Sequence, residues 1–113
     1  MSARNSLLQA PPYAVEQALK KLGADLRTAR LRRNLTVEEV AQKIGAGVRA
    51  IRDAEKGKPS TSIVTYAGLL WAFDLVEQLA EAADPVRDKE GQALALSRER
   101  SRARRKRGLN NEF

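Results

Sequence analysis

Seven basic side chains crowd into ten residues near the C-terminus: Arg98, Arg100, Arg102, Arg104, Arg105, Lys106 and Arg107, with Glu99 the one acid among them. Cations at that density suit a polyanion, most economically nucleic acid, although an acidic protein surface or a solvated, solubilising end would have the same composition. Most of the net charge of +7 lies here, so the rest of the chain is nearly balanced. Bond-breaking chemistry has little to work with. The chain contains neither histidine nor cysteine, which removes the commonest acid–base group, thiolate nucleophiles, disulfides and the usual zinc ligands. Glu38 and Glu39 are adjacent carboxylates, but neighbouring helical positions point about 100° apart and do not converge on one substrate. The first turn of a helix accounts for both through its dipole. With no phosphate-cradling glycine loop and no metal-ligand cluster, the chain is not read as an enzyme, and no cofactor or metal is expected.

A length of 113 residues leaves room for one core, and 42% hydrophobic residues suffice to build it. Aromatics are only 4%, so Leu, Ile, Val and Ala must fill that core, which favours helices. No apolar run approaches the ~20 residues that span a bilayer, and Met1 to Ala10 lacks the apolar stretch of a signal peptide. A cytoplasmic location with no membrane partner is expected.

The elements that would position these residues follow from spacing. Residues 1–12 show little periodicity and end in Pro11 and Pro12, as a flexible N-terminal arm would. Val15, Ala18, Leu19, Leu22, Leu26 and Ala29 recur at steps of three and four, predicting a helix over 13–33 that stops at Asn34. Thr36 and Glu39 form a capping box for a second helix with Val37, Val40, Ala41 and Ile44 on its apolar face. Gly45 ends it. A third helix, about 47–56, carries Val48, Ile51 and Ala54, and Gly57, Lys58 and Pro59 close it. Ser62 caps a fourth helix to about Phe73, and a short fifth holds Leu75, Val76, Leu79, Ala80 and Ala83. The folded domain is therefore placed at 13–83. Residues 84–113 are read as a charged loop containing Asp88 and Gly91, a weak amphipathic segment at Ala93, Leu94 and Leu96, and a tail from Ser97 whose composition predicts disorder.

Residues 36–57 are the informative unit: a capped helix, a short glycine turn and a second helix. That is the arrangement by which a helix is presented to the major groove of DNA, although a generic αα-corner shares its punctuation. Leu22, Arg30, Ala41, Gly45, Ile51, Glu55 and Gly57 stand at the marker positions of LGADLRTARLRRNLTVEEVAQKIGAGVRAIRDAEKGKP, residues 22–59. This stretch resembles the phage-repressor/Cro-like (Xre) family. The resemblance implies an all-α, five-helix lambda-repressor-like domain that binds a palindromic operator in double-stranded DNA as a homodimer, with 47–56 as its recognition helix. It also implies an ion pair between Arg30 and Glu55.

Carried over position by position, base contacts fall to Val48, Arg49, Arg52 and Asp53. The arginine forks suit guanine O6 and N7. Val48 could meet a thymine methyl or pack on the preceding helix, and Asp53 could accept from cytosine or pair with a neighbour such as Lys56. Phosphate contacts would come from Thr36 at its helix start and from Arg32, Arg33, Lys43, Lys56 and Lys58. The seven tail cations would add a DNA-tracking arm. Gly47 stands where the family has a polar N-cap, and Ala46 and Ala50 offer no hydrogen bonds to bases.

The run STSIVTYAGLLWAFDLVEQLAEAADP, residues 60–85, is similar to HipB-like antitoxins and to Xre regulators that accompany HipA-like kinases. That likeness implies autoregulation of an operon and neutralisation of a HipA-like kinase toxin. The alternatives are an interaction module that chiefly sequesters such a kinase, or a stand-alone regulator. Trp71 and Phe73 are read as core residues, with a dimer or toxin contact as the alternative.

Overall fold

The computed structural model describes residues 6–111, and every regular element among them is a helix. Residues 1–5 of the expected arm, and Glu112 and Phe113 of the tail, lie outside the described residues. A single turn, α1 (Ser6–Gln9), precedes α2 (Tyr13–Arg32), which starts directly after Pro12. Then come α3 (Val37–Ile44), α4 (Val48–Glu55), α5 (Ile63–Ala72), α6 (Val76–Ala80) and α7 (Lys89–Asn111). The chain divides into two units, one running up to Leu79 and one from Ala80 onward.

In the first unit, α2, α3, α4 and α5 converge on one core of Leu26, Val40, Ile51, Leu69 and Phe73, each almost wholly buried. Leu22, Val37, Ile44, Val48, Leu75 and Leu79 pack around it. The apolar stripe of α2 is buried from Leu19 onward, whereas Val15 and Ala18 near its start are exposed. The expected fifth helix is only Val76–Ala80, because residues 81–83 leave the helix as turns.

Local chemistry sets the boundaries. Asn34, at φ 55°, leaves α2, and Asp74, at φ 59°, leaves α5, both being residue types that tolerate the left-handed region. Thr36 accepts a hydrogen bond from the Glu39 N–H while the Glu39 carboxylate accepts one from the Thr36 N–H, each at 3.0 Å. Two otherwise unpaired donors at the start of α3 are thereby satisfied. Thr36→Ala is expected to lower stability by about 1 kcal/mol, read as a lower urea midpoint with unchanged slope. Gly45, at φ 73°, caps α3 and sends its N–H to the carbonyls of Ala41 and Gln42, so the chain turns within three residues into α4.

The α2–α4 crossing requires the missing side chain of Gly23. A Cβ there would sit 2.5 Å from the Ala54 carbonyl oxygen and 2.7 Å from that of Glu55, and a Cβ on Gly57 would strike the backbone of Leu19. The two backbones therefore touch where α4 ends. Gly23, a mere weak point in the helix by propensity, is a packing requirement. Gly23→Ala should cost about 1 to 3 kcal/mol although alanine is the better helix former, and thermal denaturation checks the sign.

The second unit corrects the expectation of a disordered tail. Asp88 starts α7 by accepting the Gly91 N–H at 2.9 Å, and the Gln92 amide donates to the carbonyls of Pro85 and Val86. Asp88 and Gly91 are thus a helix start and not a loop, and the weak amphipathic segment and the tail are one helix of 23 residues. Low hydropathy and high charge argue against a packed core, and indeed no residue from 80 to 108 is buried. Helix formation needs no core when Ala, Leu, Gln, Glu, Arg and Lys predominate and β-branched residues are absent, as they are from Lys89 to Asn111.

Candidate nucleic-acid interface

The pose of α4 is fixed by what it buries. Ile51 and Ala54 are fully enclosed, and Val48 is half-buried against the same core. Of the two uses open to Val48, packing on the domain is the one the geometry realises. Positions 49, 52 and 56 then fall on the opposite side of the helix, and all three are exposed. Val48, Arg49, Arg52, Asp53, Lys56 and Lys58 together line a shallow, open concavity.

The electrostatics of that face are uneven. Among the described residues Arg49 makes no ion pair. Arg52 approaches Glu38 at 3.5 Å with both side chains more than half exposed, a contact too solvated to hold the guanidinium against a better acceptor. Asp53 pairs with Lys58 at 3.1 Å, so its partner is across the helix end and not Lys56. This pairing screens the carboxylate that α4 itself contributes to a largely cationic face. Gly47 offers no side-chain cap to α4, which leaves the first N–H groups of the helix open beside Arg49.

The brace behind α4 is Arg30. Its Nε donates to Glu55 Oε2 at 2.6 Å, one terminal nitrogen donates to Glu55 Oε1 at 3.0 Å, and the other to the Leu35 carbonyl at 2.9 Å. Both side chains are less than a tenth exposed. The hydrogen bonds that Arg30 donates to Glu55 raise its pKa above the ordinary value against the opposing effect of burial. One side chain thus ties the end of α2, the turn into α3 and the last turn of α4. The tilt of α4 is set by this fork together with the Gly23 contact.

Two phosphate candidates have structural work already. Arg33 donates to the carbonyls of Ala29 and Phe73 at 2.9 and 3.1 Å and lies over the Phe73 ring, 5.1 Å from its centroid. Lys43 reaches the Ala72 carbonyl at 3.5 Å and sits 6.0 Å from the centre of Trp71. Both cations therefore cap the carbonyl end of α5, where the helix dipole favours them. Thr36 is engaged in its capping box. Arg32 and Lys56 are exposed and make no ion pair among the described residues, and Lys58 shares its charge with Asp53. Arg98, Arg100, Arg102, Arg104, Arg105, Lys106 and Arg107 all lie on α7, exposed.

Phe73 is core at 1% exposure, whereas Trp71 is 55% exposed and does not belong to the core. The spacing from Tyr66 to Phe73 gave both aromatics an apolar neighbourhood, but Trp71 stands exposed on α5 with the Lys43 ammonium of α3 near its ring. Tyr66 is a positioning residue hidden in the same stripe. Its hydroxyl donates to the Lys58 carbonyl at 3.1 Å, pinning the loop that follows α4, and burial pushes its phenol pKa up. An aromatic in an apolar pattern announces burial, but not the partner of its hydroxyl.

Residues 26–69 match the model of a family described as helix-turn-helix. The match runs from Leu26 in α2 to Leu69 in α5 and contains α3 and α4 whole. The chain therefore carries a helix-turn-helix domain of the Xre/Cro-like kind, and such a domain implies a DNA-binding transcriptional regulator. No curated protein and no solved structure matches the chain. No helix among the described residues is long and apolar enough to cross a membrane.

Proposed function

We propose that this protein is a sequence-specific repressor that binds a palindromic operator in duplex DNA as a homodimer. Arg49 and Arg52 face the base edges, with Val48 packed on the core beside them and Asp53 held by Lys58, and Arg32, Lys56 and Lys58 reach flanking phosphates. The observation that supports this most is the unpaired, exposed guanidinium of Arg49 in the first turn of a helix whose opposite face is locked into the core. An arginine so placed has a bidentate fork free for guanine, and a rigid mount restricts where it can point. Exposed Ile63, Val64 and Trp71 leave apolar surface on α5 that suits pairing of two copies.

Selection from a random duplex pool tests the proposal. The expected product is an inverted repeat with half-sites about one helical turn, ~10 bp, apart. Enrichment of a single half-site would exclude the dimer, and no enrichment would exclude sequence-specific reading.

The likeness of residues 60–85 to HipB-like antitoxins supports a further role for the same protein, neutralisation of a HipA-like kinase encoded beside it. Co-expression with such a kinase should yield a complex that survives purification. A kinase that stays active and unbound would remove that role and leave the repressor intact.

A further inference from the structure

The cations of α7 are not spread evenly around it. At about 100° per residue, Arg98, Arg102 and Arg105 fall within about 60° of one another, and Arg100, Arg104 and Arg107 form a second stripe of the same width. The stripe centres are about 160° apart, measured across the face that carries Ser97, Ser101 and Gly108. Glu99, the one acid of this segment, lies about 180° from the middle of that face, on the back of the helix beside Lys106 and Ala103. Ser97 and Ser101 lie in a shallow trough bordered by Arg100 and Arg104. Every residue from Gln92 to Gly108 is exposed, and none of the six arginines makes an ion pair among the described residues.

We infer that α7 is a second DNA-binding element, a basic helix that enters the major groove with its serine face toward the base edges and its two arginine stripes on the phosphates of opposite strands. It goes beyond the reading of α4 and rests on it only for the choice of duplex DNA as the polyanion.

The dimensions agree. A helix with its side chains is roughly 10 to 12 Å across, and the major groove is about 12 Å wide. Each stripe extends over ~10 Å of helix, against a strand phosphate every ~3.4 Å of duplex axis. Small side chains at the centre of the cationic arc let the backbone approach the groove floor, while long side chains at its edges reach outward to the walls. The carboxylate sits where it faces solvent. Like-charge repulsion along α7 is relieved only when phosphates neutralise it, and a single-stripe binder would have no use for the second row. In one chain with the helix-turn-helix domain, α7 makes attachment bivalent, so it raises affinity for any duplex and leaves sequence choice to α4.

The test uses the full chain and a mixed-sequence DNA duplex, with affinity followed against salt. Glutamine at Arg98, Arg102 and Arg105, or at Arg100, Arg104 and Arg107, should flatten the slope of log K against log salt by about 2.7 in either triple variant, at 0.9 per phosphate. Ala103→Pro keeps every charge and breaks the helix on its back face; it should weaken binding at least tenfold, with the loss of helix visible by circular dichroism. Three outcomes overturn the inference. An unchanged slope in both triples removes α7 from the DNA. A slope that responds to one triple alone places the helix against one strand, outside the groove. Full affinity in Ala103→Pro shows that charge without helical form is enough. Tighter binding to an RNA duplex of the same sequence would also contradict it, because the A-form major groove is too deep and narrow to admit a helix. Arg49→Ala with Arg52→Ala leaves these slopes differences in place, so failure of the α4 reading and failure of the α7 reading are separable.

Discussion

Replacing Arg49 and Arg52 together by alanine is expected to weaken operator binding by roughly 2 to 6 kcal/mol, about thirtyfold to more than ten-thousandfold, from 1 to 3 kcal/mol per bidentate contact. The loss should be confined to the selected operator. Affinity for unrelated duplex, set by phosphate contacts, should fall far less, so the two affinities converge. Fluorescence anisotropy with operator and scrambled duplex at one salt concentration measures both. Stability serves as the internal control: both side chains are exposed, and Arg52 has only a loose surface contact with Glu38. The double variant should therefore denature as the wild type does, within about 0.5 kcal/mol. Equal losses on operator and scrambled duplex would mean that the two arginines serve as phosphate contacts and not as readers.

Arg30→Ala should have the largest effect on the folded domain, about 3 to 5 kcal/mol, because it strands the Glu55 carboxylate among buried neighbours and orphans the Leu35 carbonyl as well. A domain this size has about 5 to 15 kcal/mol in total, so much of its stability would go. Arg30→Lys cannot restore the fork, since one ammonium does not span both Glu55 oxygens and the Leu35 carbonyl. Replacing the pair jointly, Arg30→Met with Glu55→Leu, should cost less than Arg30→Ala alone, because no charge is then left unpaired. Urea denaturation of the single and double variants decides it. If Arg30→Ala costs under 1 kcal/mol, the pair is not the brace of α4.

Helix boundaries around the site were legible because they are local. Thr36 with Glu39, Gly45, Ser62 and the stop at Asn34 each act through backbone hydrogen bonds or dihedral preference within a few residues, and those are written in residue type. The outward face of α4 was legible for a related reason: once Ile51 and Ala54 are fixed inward, Arg49 and Arg52 have nowhere to go but out. Contacts between elements were not. Nothing local announces that Gly23 must touch the end of α4, that Arg33 and Lys43 cap α5, or that Asp53 turns to Lys58. All of these depend on the crossing of helices. For α7 the expectation from sequence differed from the structure for another reason. Poor core-forming composition was equated with absence of structure, whereas Arg, Lys, Ala and Leu carry enough intrinsic helix propensity to order a segment that buries nothing.

The central claim is that the exposed side of α4 enters the major groove and reads guanine. Methylation interference at guanine N7 on the selected operator tests this most directly, since the modification blocks the acceptor that an arginine fork would use and leaves the phosphates untouched. Interference should appear at one or two guanines in each half-site and disappear in the Arg49→Ala variant. Operator binding that tolerates methylation at every guanine N7 would contradict the account.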